Sequence, residues 1–392
     1  MKALAVGAWI LGPGASALWG QSAGPTPHDS AHAVASARQA ALDFFHNGAI
    51  GQARDKPSRP PALSCAVAAD GKVVWAEAYG FADLEQRVPA TTETGFRIGS
   101  VSKTLTAAAV VLLHQRGQLD IDVPIQQYVP TFPDKGYPIT IRELAGHLGG
   151  IRHYRDADFP GRSDNVRHYD SLAQALAIFA NDSLVAPPGT TWAYSSYGFN
   201  LIGIALEHAT GKPFLDLMRD EVFAPLGMRH TTTDDQGKLI PRRARFYEVN
   251  ADGTYRNAEY IDESYKWPAG GMLSTPTDLA TFGSALLHPG FLSSGSLALL
   301  FTSQHTSAGE ETGYGMGWQL KQQTRTRSYW HRGAVTGGHA NLVIYPDKNV
   351  VAACAENTDL VAVPISNRQM ELIAEPFFAW AQRSVVSSSG VR

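Results

Sequence analysis

Strand-like segments lie near both ends of this chain, and a long helix-like region separates them. Leu63–Ala69 and Lys72–Tyr79 flank Asp70-Gly71, a dipeptide that favours a tight hairpin turn. Three further runs near the other end have the strand pattern: Ser328–Gly333, Ala340–Tyr345 and Val350–Glu356. Because strands need partners, we expect the two ends to meet in one antiparallel sheet, with the middle of the chain inserted between them.

The predicted fold class is therefore α+β. The sheet layer, flanked by helices, is expected over residues of about 29–95 and 310–385, and a mostly helical insertion over about 96–309. Thr140-Ile-Arg-Glu143 is a capping box that predicts a helix start within the insertion. Thr312–Leu320 is predicted as one more strand.

Composition excludes several classes of partner. The chain has 392 residues, of which 44% are hydrophobic and 18% charged, as in a large globular protein. A net charge of −3 gives no electrostatic basis for binding nucleic acid or an anionic membrane. Neither His-x-His nor His-Glu-x-x-His occurs among the 13 histidines, so we predict no metal site.

The N-terminus has the pattern of an export signal. Met1-Lys2 supplies the positive charge, Ala3–Leu11 the apolar stretch, and Ala15-Ser16-Ala17 a small-residue cleavage site. We predict a signal peptide over residues 1–23, cleaved near Ala17–Ala23, and a periplasmic or secreted protein without a stable membrane span. An uncleaved anchor is the alternative.

Only two cysteines are present, Cys65 and Cys354, and each lies in a strand-like run. If the two strands are neighbours, an oxidising compartment would permit a disulfide between them. Two buried small apolar side chains fit the same pattern. The sequence leaves both alternatives open.

The first chemical motif is Gly99-Ser-Val-Ser-Lys-Thr104, which is followed at once by an apolar run with helical spacing. Ser100 would lie at the helix start and Lys103 one turn later on the same face. The unpaired N–H groups and the dipole at a helix start favour an alkoxide and lower the pKa of a nearby lysine. Ser100 is therefore a candidate nucleophile and Lys103 its base, although a helix cap beside a solvated lysine explains these residues alone.

Two later segments carry further candidate groups. Pro187–Asn200 brings Tyr194 and Ser196 to a helix start, where a tyrosine near an ammonium is able to relay protons as a phenolate. On a C-terminal strand, Gly333 would let a substrate backbone lie close, and the N–H of Ala334 would serve as an oxyanion donor. A core tyrosine and a structural His331 are the alternatives.

Taken together, the three segments resemble the signature of penicillin-recognising serine hydrolases, the family of penicillin-binding proteins and class C beta-lactamase-related enzymes. That signature is Ser-x-x-Lys, Tyr-x-Asn, and Lys-Thr-Gly or its His-x-Gly variant, in this order. The resemblance runs from about Leu63 to Ala381 and is strongest to the mitochondrial serine beta-lactamase-like branch of animals. The similar stretches are residues 96–104, 122–130, 147–154, 243–247 and 262–275.

The resemblance implies a beta-lactamase/transpeptidase-like fold and an acyl-enzyme mechanism that uses no metal or cofactor. Ser100 would attack a carbonyl carbon, while Lys103 and Tyr194 move the protons. The backbone N–H groups of Ser100 and Ala334 would form the oxyanion hole. The substrate-binding residues would be Ser196, His331 and Gly333.

Two departures from the family pattern bear on the substrate. Position 196 is Ser where the family usually has Asn, and His331-Arg332 stands where beta-lactamases carry the Lys and Thr that bind the antibiotic carboxylate. Efficient beta-lactam hydrolysis is therefore not expected. Arg332 either replaces the missing anion contact or faces away from the site.

The leading prediction is hydrolysis of an amide or peptide bond in a small substrate, with a carboxylesterase or a weak beta-lactamase on the same site as alternatives. A Gly-x-Ser-x-Gly motif of α/β-hydrolases is absent from the sequence. A protein of another class, which senses peptidoglycan or takes part in assembly without catalysis, is the remaining alternative. The joint presence of Ser100, Lys103 and Tyr194 argues against it.

Overall fold

The computed structural model describes residues 27–47, 59–162, 164–250, 252–359 and 365–380. The predicted signal peptide at residues 1–23 lies outside these residues. Across the described ranges, no helix is both long enough and apolar enough to cross a membrane.

The described residues form eleven strands and ten α-helices. The strands are β1 (Ala62–Ala69), β2 (Lys72–Asp83), β3 (Val88–Pro89), β4 (Phe96–Arg97), β5 (Thr232–Thr233), β6 (Tyr247–Val249), β7 (Tyr255–Asn257), β8 (Met272–Ser274), β9 (Tyr329–Val335), β10 (Gly338–Tyr345) and β11 (Val350–Glu356). The helices are α1 (Pro27–Asn47), α2 (Ser102–Gln115), α3 (Ile141–Ala145), α4 (Leu172–Ala175), α5 (Ser196–Thr210), α6 (Phe214–Met218), α7 (Ala224–Leu226), α8 (Pro276–Ala285), α9 (Ser294–Phe301) and α10 (Asn367–Ala374).

Both ends of the chain contribute to one six-stranded antiparallel sheet, in the order β3-β2-β1-β11-β10-β9. The N-terminal strand β1 pairs with β2 on one side and with the C-terminal strand β11 on the other. The predicted α+β class is thus confirmed. The domain boundaries near residues 95 and 310 stay a prediction.

Each face of the sheet packs on its own layer of helices. On β1, Leu63, Cys65 and Val67 join a core that includes residues of α1 and α10. The intervening alanines join the larger core, to which α2 and α8 contribute. Strand β9 lies at the sheet edge, so its outer backbone groups face the helical part of the chain rather than another long strand.

Cys65 and Cys354 form a disulfide between the two central strands. They are direct partners in the β1–β11 register, and their Cα atoms lie 4.1 Å apart. Both side chains are fully buried on the α1 and α10 face of the sheet. The bond therefore links the first and last long strands across a sequence separation of 289 residues.

Replacing both cysteines by alanine is expected to lower the free energy of unfolding by about 3 to 5 kcal/mol, because the bond restricts a very long loop in the unfolded chain. Urea unfolding of the wild type, the double variant, and the wild type in reductant measures the effect. The last two samples are expected to unfold at similar urea concentrations. Unfolding of the double variant at the wild-type urea concentration would contradict this expectation.

Local signals placed most elements correctly. The hairpin at Asp70-Gly71 has positive φ at both residues, and the Thr140–Glu143 capping box is present. The predicted strand at Thr312–Leu320 is wrong, because this segment forms only isolated bridges. Gly313 and Gly317 adopt positive φ there and turn the backbone out of extended geometry.

Candidate active site

Ser100 lies in a single 3₁₀ turn, Gly99–Val101, that leads directly into α2. Gly99 has φ +47°, and a Cβ built on it would lie 2.8 Å from the backbone nitrogen of Ala334 in β9. Only glycine therefore lets the turn press against the edge strand. No side chain caps the start of this turn or of α2, so Ser100 is not the helix cap considered from the sequence.

Lys103 lies under Ser100 as the helical spacing predicts. Its Nζ lies 3.1 Å from Ser100 Oγ, 3.0 Å from Ser196 Oγ and 2.6 Å from the carbonyl oxygen of Ala269. The side chain is fully buried. Burial, and then the positive charge of Lys266, hold the pKa of Lys103 well below its usual range.

Tyr194 meets the same hydroxyl from the opposite direction, donating a hydrogen bond of 2.8 Å to Ser100 Oγ. Its ring packs against Lys103, whose Nζ lies 4.9 Å from the ring centroid. Burial raises the pKa of Tyr194, although hydrogen bonding with Ser100 and Ser196 opposes the rise. The phenol is thus the neutral donor and not the phenolate expected from the sequence.

Ser196, predicted to bind substrate, contacts the candidate base instead. It is buried at the first position of α5, and its Oγ accepts a hydrogen bond from Lys103. The carbonyl of Ala269 is a partner that the sequence did not reveal, because a backbone oxygen carries no side-chain signal. It lies within the similar stretch of residues 262–275.

Gly333 allows close packing, but against the protein's own backbone and not against a substrate. A Cβ built on Gly333 would lie 1.8 Å from the carbonyl oxygen of Ile98 and 2.9 Å from the backbone nitrogen of Ser100. The space predicted for a substrate backbone is therefore occupied by the turn that carries Ser100. The same packing brings the backbone of Ala334 beside Gly99, next to the candidate nucleophile.

His331 offers no free nitrogen to a substrate, contrary to its predicted binding role. Its Nδ1 lies 2.7 Å from the carbonyl oxygen of Arg332 and must donate to it, so Nε2 accepts from the hydroxyl of Tyr314 at 2.9 Å. Burial, and then the charge of Lys103, lower the pKa of His331 to about 3. The imidazole is neutral and braces Tyr314.

Arg332 lies on the opposite face of β9 from His331 and Gly333, because successive strand residues alternate. Its guanidinium lies over the ring of Trp330, 5.2 Å from the ring centroid. The alternative in which Arg332 faces away from the site is therefore the one observed.

His147 holds the segment that carries Tyr194. Its carbonyl oxygen accepts from the N–H of Ala193 at 2.9 Å, and its Nδ1 accepts from the N–H of Ser195 at 3.1 Å. Its ring centroid lies 4.3 Å from that of Tyr194. The rings of His147 and Tyr194 form an aromatic wall, and the exposed ring of Trp192 extends this wall towards solvent.

Across the part of the chain that the structure describes, no group of three or more His, Cys, Asp or Glu side chains is arranged to hold a metal ion. The chemistry that this site supports is nucleophilic: a hydroxyl contacts a buried amine on one side and a phenol on the other.

Comparisons with known proteins identify similar sequences and structures. The model of the beta-lactamase family matches residues 50–374. The serine beta-lactamase-like protein LACTB, mitochondrial, of Homo sapiens is 31% identical over 379 residues, which span 74% of this chain and 69% of that protein. Esterase EstB of Burkholderia gladioli is 34% identical over 200 residues, 48% of this chain and 49% of the esterase.

Several solved structures are similar to this chain, and one of them is a penicillin-binding protein homologue. The octameric penicillin-binding protein homologue from Pyrococcus abyssi matches with a TM-score of 0.67 and 25% identity. The match covers 80% of this chain and 72% of that one.

Proposed function

The chain belongs to the beta-lactamase family, and from that membership we propose that it is a serine hydrolase that forms an acyl-enzyme on Ser100. The observation that carries the proposal is the position of Ser100 Oγ, between Lys103 Nζ at 3.1 Å and the hydroxyl of Tyr194 at 2.8 Å. A hydroxyl in contact with a base and a proton donor is the arrangement that nucleophilic catalysis requires.

The lowered pKa of Lys103 favours a neutral amine, and its hydrogen bonds accommodate that form. A neutral amine has two N–H groups and one lone pair, and Lys103 Nζ has three oxygen partners. The Ala269 carbonyl must accept one N–H, and Ser196 Oγ accepts the other. The lone pair then faces Ser100, whose proton it takes as Oγ attacks the substrate carbonyl.

Tyr194 has a complementary role in the proposal. Its neutral phenol points at the oxygen of Ser100, so it is placed to return a proton to the leaving group as the tetrahedral intermediate collapses. The phenol is then reprotonated from Lys103 across the shared hydrogen-bonded site. In the second half-reaction, water takes the position of the leaving group and releases the acyl group.

The oxyanion would lie between the turn of Ser100 and the edge strand. The start of α2 directs backbone N–H groups and the positive end of its dipole towards this point. The approach of Ala334 to Gly99 adds the backbone of β9 on the other side. The N–H groups of Ser100 and Ala334 are therefore the proposed donors.

We propose amides or short peptides as the substrate class. Beyond the turn of Ser100, no further long strand of the described residues pairs with the outer side of β9, so this edge is the proposed place for pairing with an extended peptide. Next to it, Trp192 and the ring of Tyr194 form an aromatic wall for an apolar acyl side chain.

A carboxylesterase is the second candidate, and the match to esterase EstB supports it. The same nucleophile cleaves esters more readily than amides, because an alkoxide leaves without prior protonation. Beta-lactams are expected to be poor substrates, since His331 is neutral and Arg332 faces away from the site. No cation of the third motif is then available for the antibiotic carboxylate.

A fluorophosphonate probe tests the proposed nucleophile. We expect stoichiometric labelling of the wild type, mapped to the peptide that contains Ser100 by mass spectrometry, and no labelling of Ser100→Ala. Ser102→Ala is the matched control, because its hydroxyl is buried and bonds the carbonyl of Gly99 at 2.7 Å instead of the candidate base. Absence of labelling in the folded wild type would contradict the proposed mechanism.

The same proteins distinguish the substrate classes. Initial rates on D-amino-acid anilides, short-chain nitrophenyl esters and nitrocefin are compared for the wild type and Ser100→Ala. Turnover of anilides supports an amidase, turnover of esters alone supports the carboxylesterase, and rapid nitrocefin hydrolysis contradicts the argument from the third motif.

We also propose that the protein acts in an oxidising compartment outside the cytoplasm. The disulfide between Cys65 and Cys354 supports this, because such bonds form and persist in the periplasm or after secretion. Thiol-reactive labelling of cell fractions checks the proposal: unreactive cysteines in the exported fraction are expected, and reactive ones in the cytoplasm would contradict it.

A further inference from the structure

A second buried lysine lies behind the candidate base. Lys266 Nζ contacts an oxygen of Asp164 at 2.5 Å and one of Glu263 at 3.2 Å. The hydroxyl of Tyr265 donates to the other oxygen of Asp164 at 2.7 Å. The side chains of Lys266, Asp164 and Glu263 are at most 9% exposed, and we call these three residues the Lys266 cluster.

The backbone of Lys266 shapes the turn that contacts Lys103. Its carbonyl oxygen lies 2.9 Å from the N–H nitrogen of Ala269, 2.8 Å from that of Gly270 and 3.1 Å from that of Gly271. These hydrogen bonds hold residues 266–271 in a tight turn. This turn directs the carbonyl oxygen of Ala269 towards Lys103, at 2.6 Å from its Nζ.

Side chains also connect the two lysines. Lys266 Nζ lies 5.8 Å from the ring centroid of Tyr154, whose hydroxyl interacts with Ser196. Ser196 in turn contacts Lys103. The charge of Lys266 acts on Lys103 across this short path, since it contributes, after burial, to the low pKa of Lys103.

The tyrosines and histidines near Lys103 are neutral, so Lys266 is the principal positive charge that acts on it. Tyr194 and Tyr154 have pKa values raised by burial, so both are neutral. Burial lowers the pKa values of His147 and His331, which are neutral as well, and that of His153 to about 4. Within the Lys266 cluster, burial raises the pKa of Glu263 to about 7, while Asp164 supplies the carboxylate partner.

On the basis of the proposed function, we propose that Lys266 is a positioning residue for acylation. It fixes the turn that presents the Ala269 carbonyl to Lys103, and it places a second positive charge beside that lysine. Asp164 and Glu263 hold Lys266 in this position. Asp164 precedes α4, so the cluster also ties the segment before this helix to the candidate base.

The pH dependence of Ser100 labelling by a fluorophosphonate tests the proposal. Labelling requires neutral Lys103, so its rate falls as pH drops through the pKa of this lysine. In Lys266→Met the neighbouring positive charge is lost, and the pKa of Lys103 rises. The acidic limb is then expected to move to higher pH, with labelling about tenfold slower than in the wild type at pH values on that limb.

Two control variants distinguish the loss of the Lys266 charge from structural damage caused by the substitution. Lys266→Arg keeps the charge and is expected to retain the wild-type acidic limb. Lys212→Met removes an exposed lysine that pairs with Asp220, and no movement of the limb is expected. If Lys266→Met does not fold, Asp164→Asn serves instead, because it removes the carboxylate that pairs with Lys266 and is expected to move the limb to lower pH.

An acidic limb that stays at the wild-type pH in folded Lys266→Met would overturn the proposal, as would a shift of the Asp164→Asn limb to higher pH. A failure of the proposed function is distinguishable from these outcomes, since the wild type would then not be labelled at Ser100 at any pH.

Discussion

Replacing Lys103 by methionine is expected to slow acylation of Ser100 by about 10²- to 10⁴-fold, the usual contribution of a general base. Methionine has a similar length and carries no charge, so it fits the fully buried site of Lys103, where burial lowers the pKa of the amine. The fold is expected to persist with a small loss of stability, from the lost hydrogen bonds to Ser196 and Ala269.

The measurement is the burst of nitrophenolate released from a short-chain nitrophenyl ester, followed from pH 5 to 10. The wild-type burst rate is expected to rise with pH as Lys103 loses its proton. The residual rate of Lys103→Met is expected to lack this step. Lys72→Met, on the exposed hairpin, is the control for the substitution itself. Acylation by folded Lys103→Met within threefold of the wild type would exclude Lys103 as the base.

Replacing Gly333 by alanine is expected to reduce acylation by about 10²-fold or more, because the oxyanion donor at Ala334 would be displaced. The added Cβ would lie 1.8 Å from the carbonyl oxygen of Ile98 and 2.9 Å from the nitrogen of Ser100. Both are backbone atoms, so no side-chain rotation relieves the overlap. Strand β9 and the turn of Ser100 must separate, at a cost of about 1 to 3 kcal/mol in stability.

Gly270 provides a matched control on the other side of the same turn. A Cβ built on Gly270 would lie 3.6 Å from the carbonyl carbon of Gly99 and 3.9 Å from the nitrogen of Ser100, which is ordinary van der Waals contact. Burst rates and thermal unfolding are compared for the two variants. We expect the burst rate and thermal unfolding of Gly270→Ala to stay near those of the wild type. Equal burst rates for Gly333→Ala and Gly270→Ala would refute the proposal that close packing of β9 at Gly333 positions the oxyanion donor.

The parts of the site that were predictable from sequence depend on short-range rules. Ser100 and Lys103 lie on one helical turn, so their spacing alone brings Oγ and Nζ together. The hairpin at Asp70-Gly71 follows from the preference of these two residues for positive φ. In both cases the physical cause lies within a few residues of the effect.

The parts that sequence could not reveal depend on register and on backbone atoms. The direction of Arg332 follows from the pairing of β9 with β10, which determines the face that each residue occupies. Gly333 is explained by contact with Ile98, more than 200 residues away in the chain. The acceptor role of Ala269 is independent of its side chain, and Lys266 has no local motif that marks it as part of the site.

The central position of β1 beside β11 has a consequence for biosynthesis. During translation, β1 and β2 exist as an isolated hairpin until Val350–Glu356 has emerged from the ribosome. Such high contact order delays completion of the sheet until nearly all of the described chain is available. The native sheet is therefore inaccessible to the growing chain until β11 is available, and the unpaired edge of β1 is open to non-native pairing during that interval.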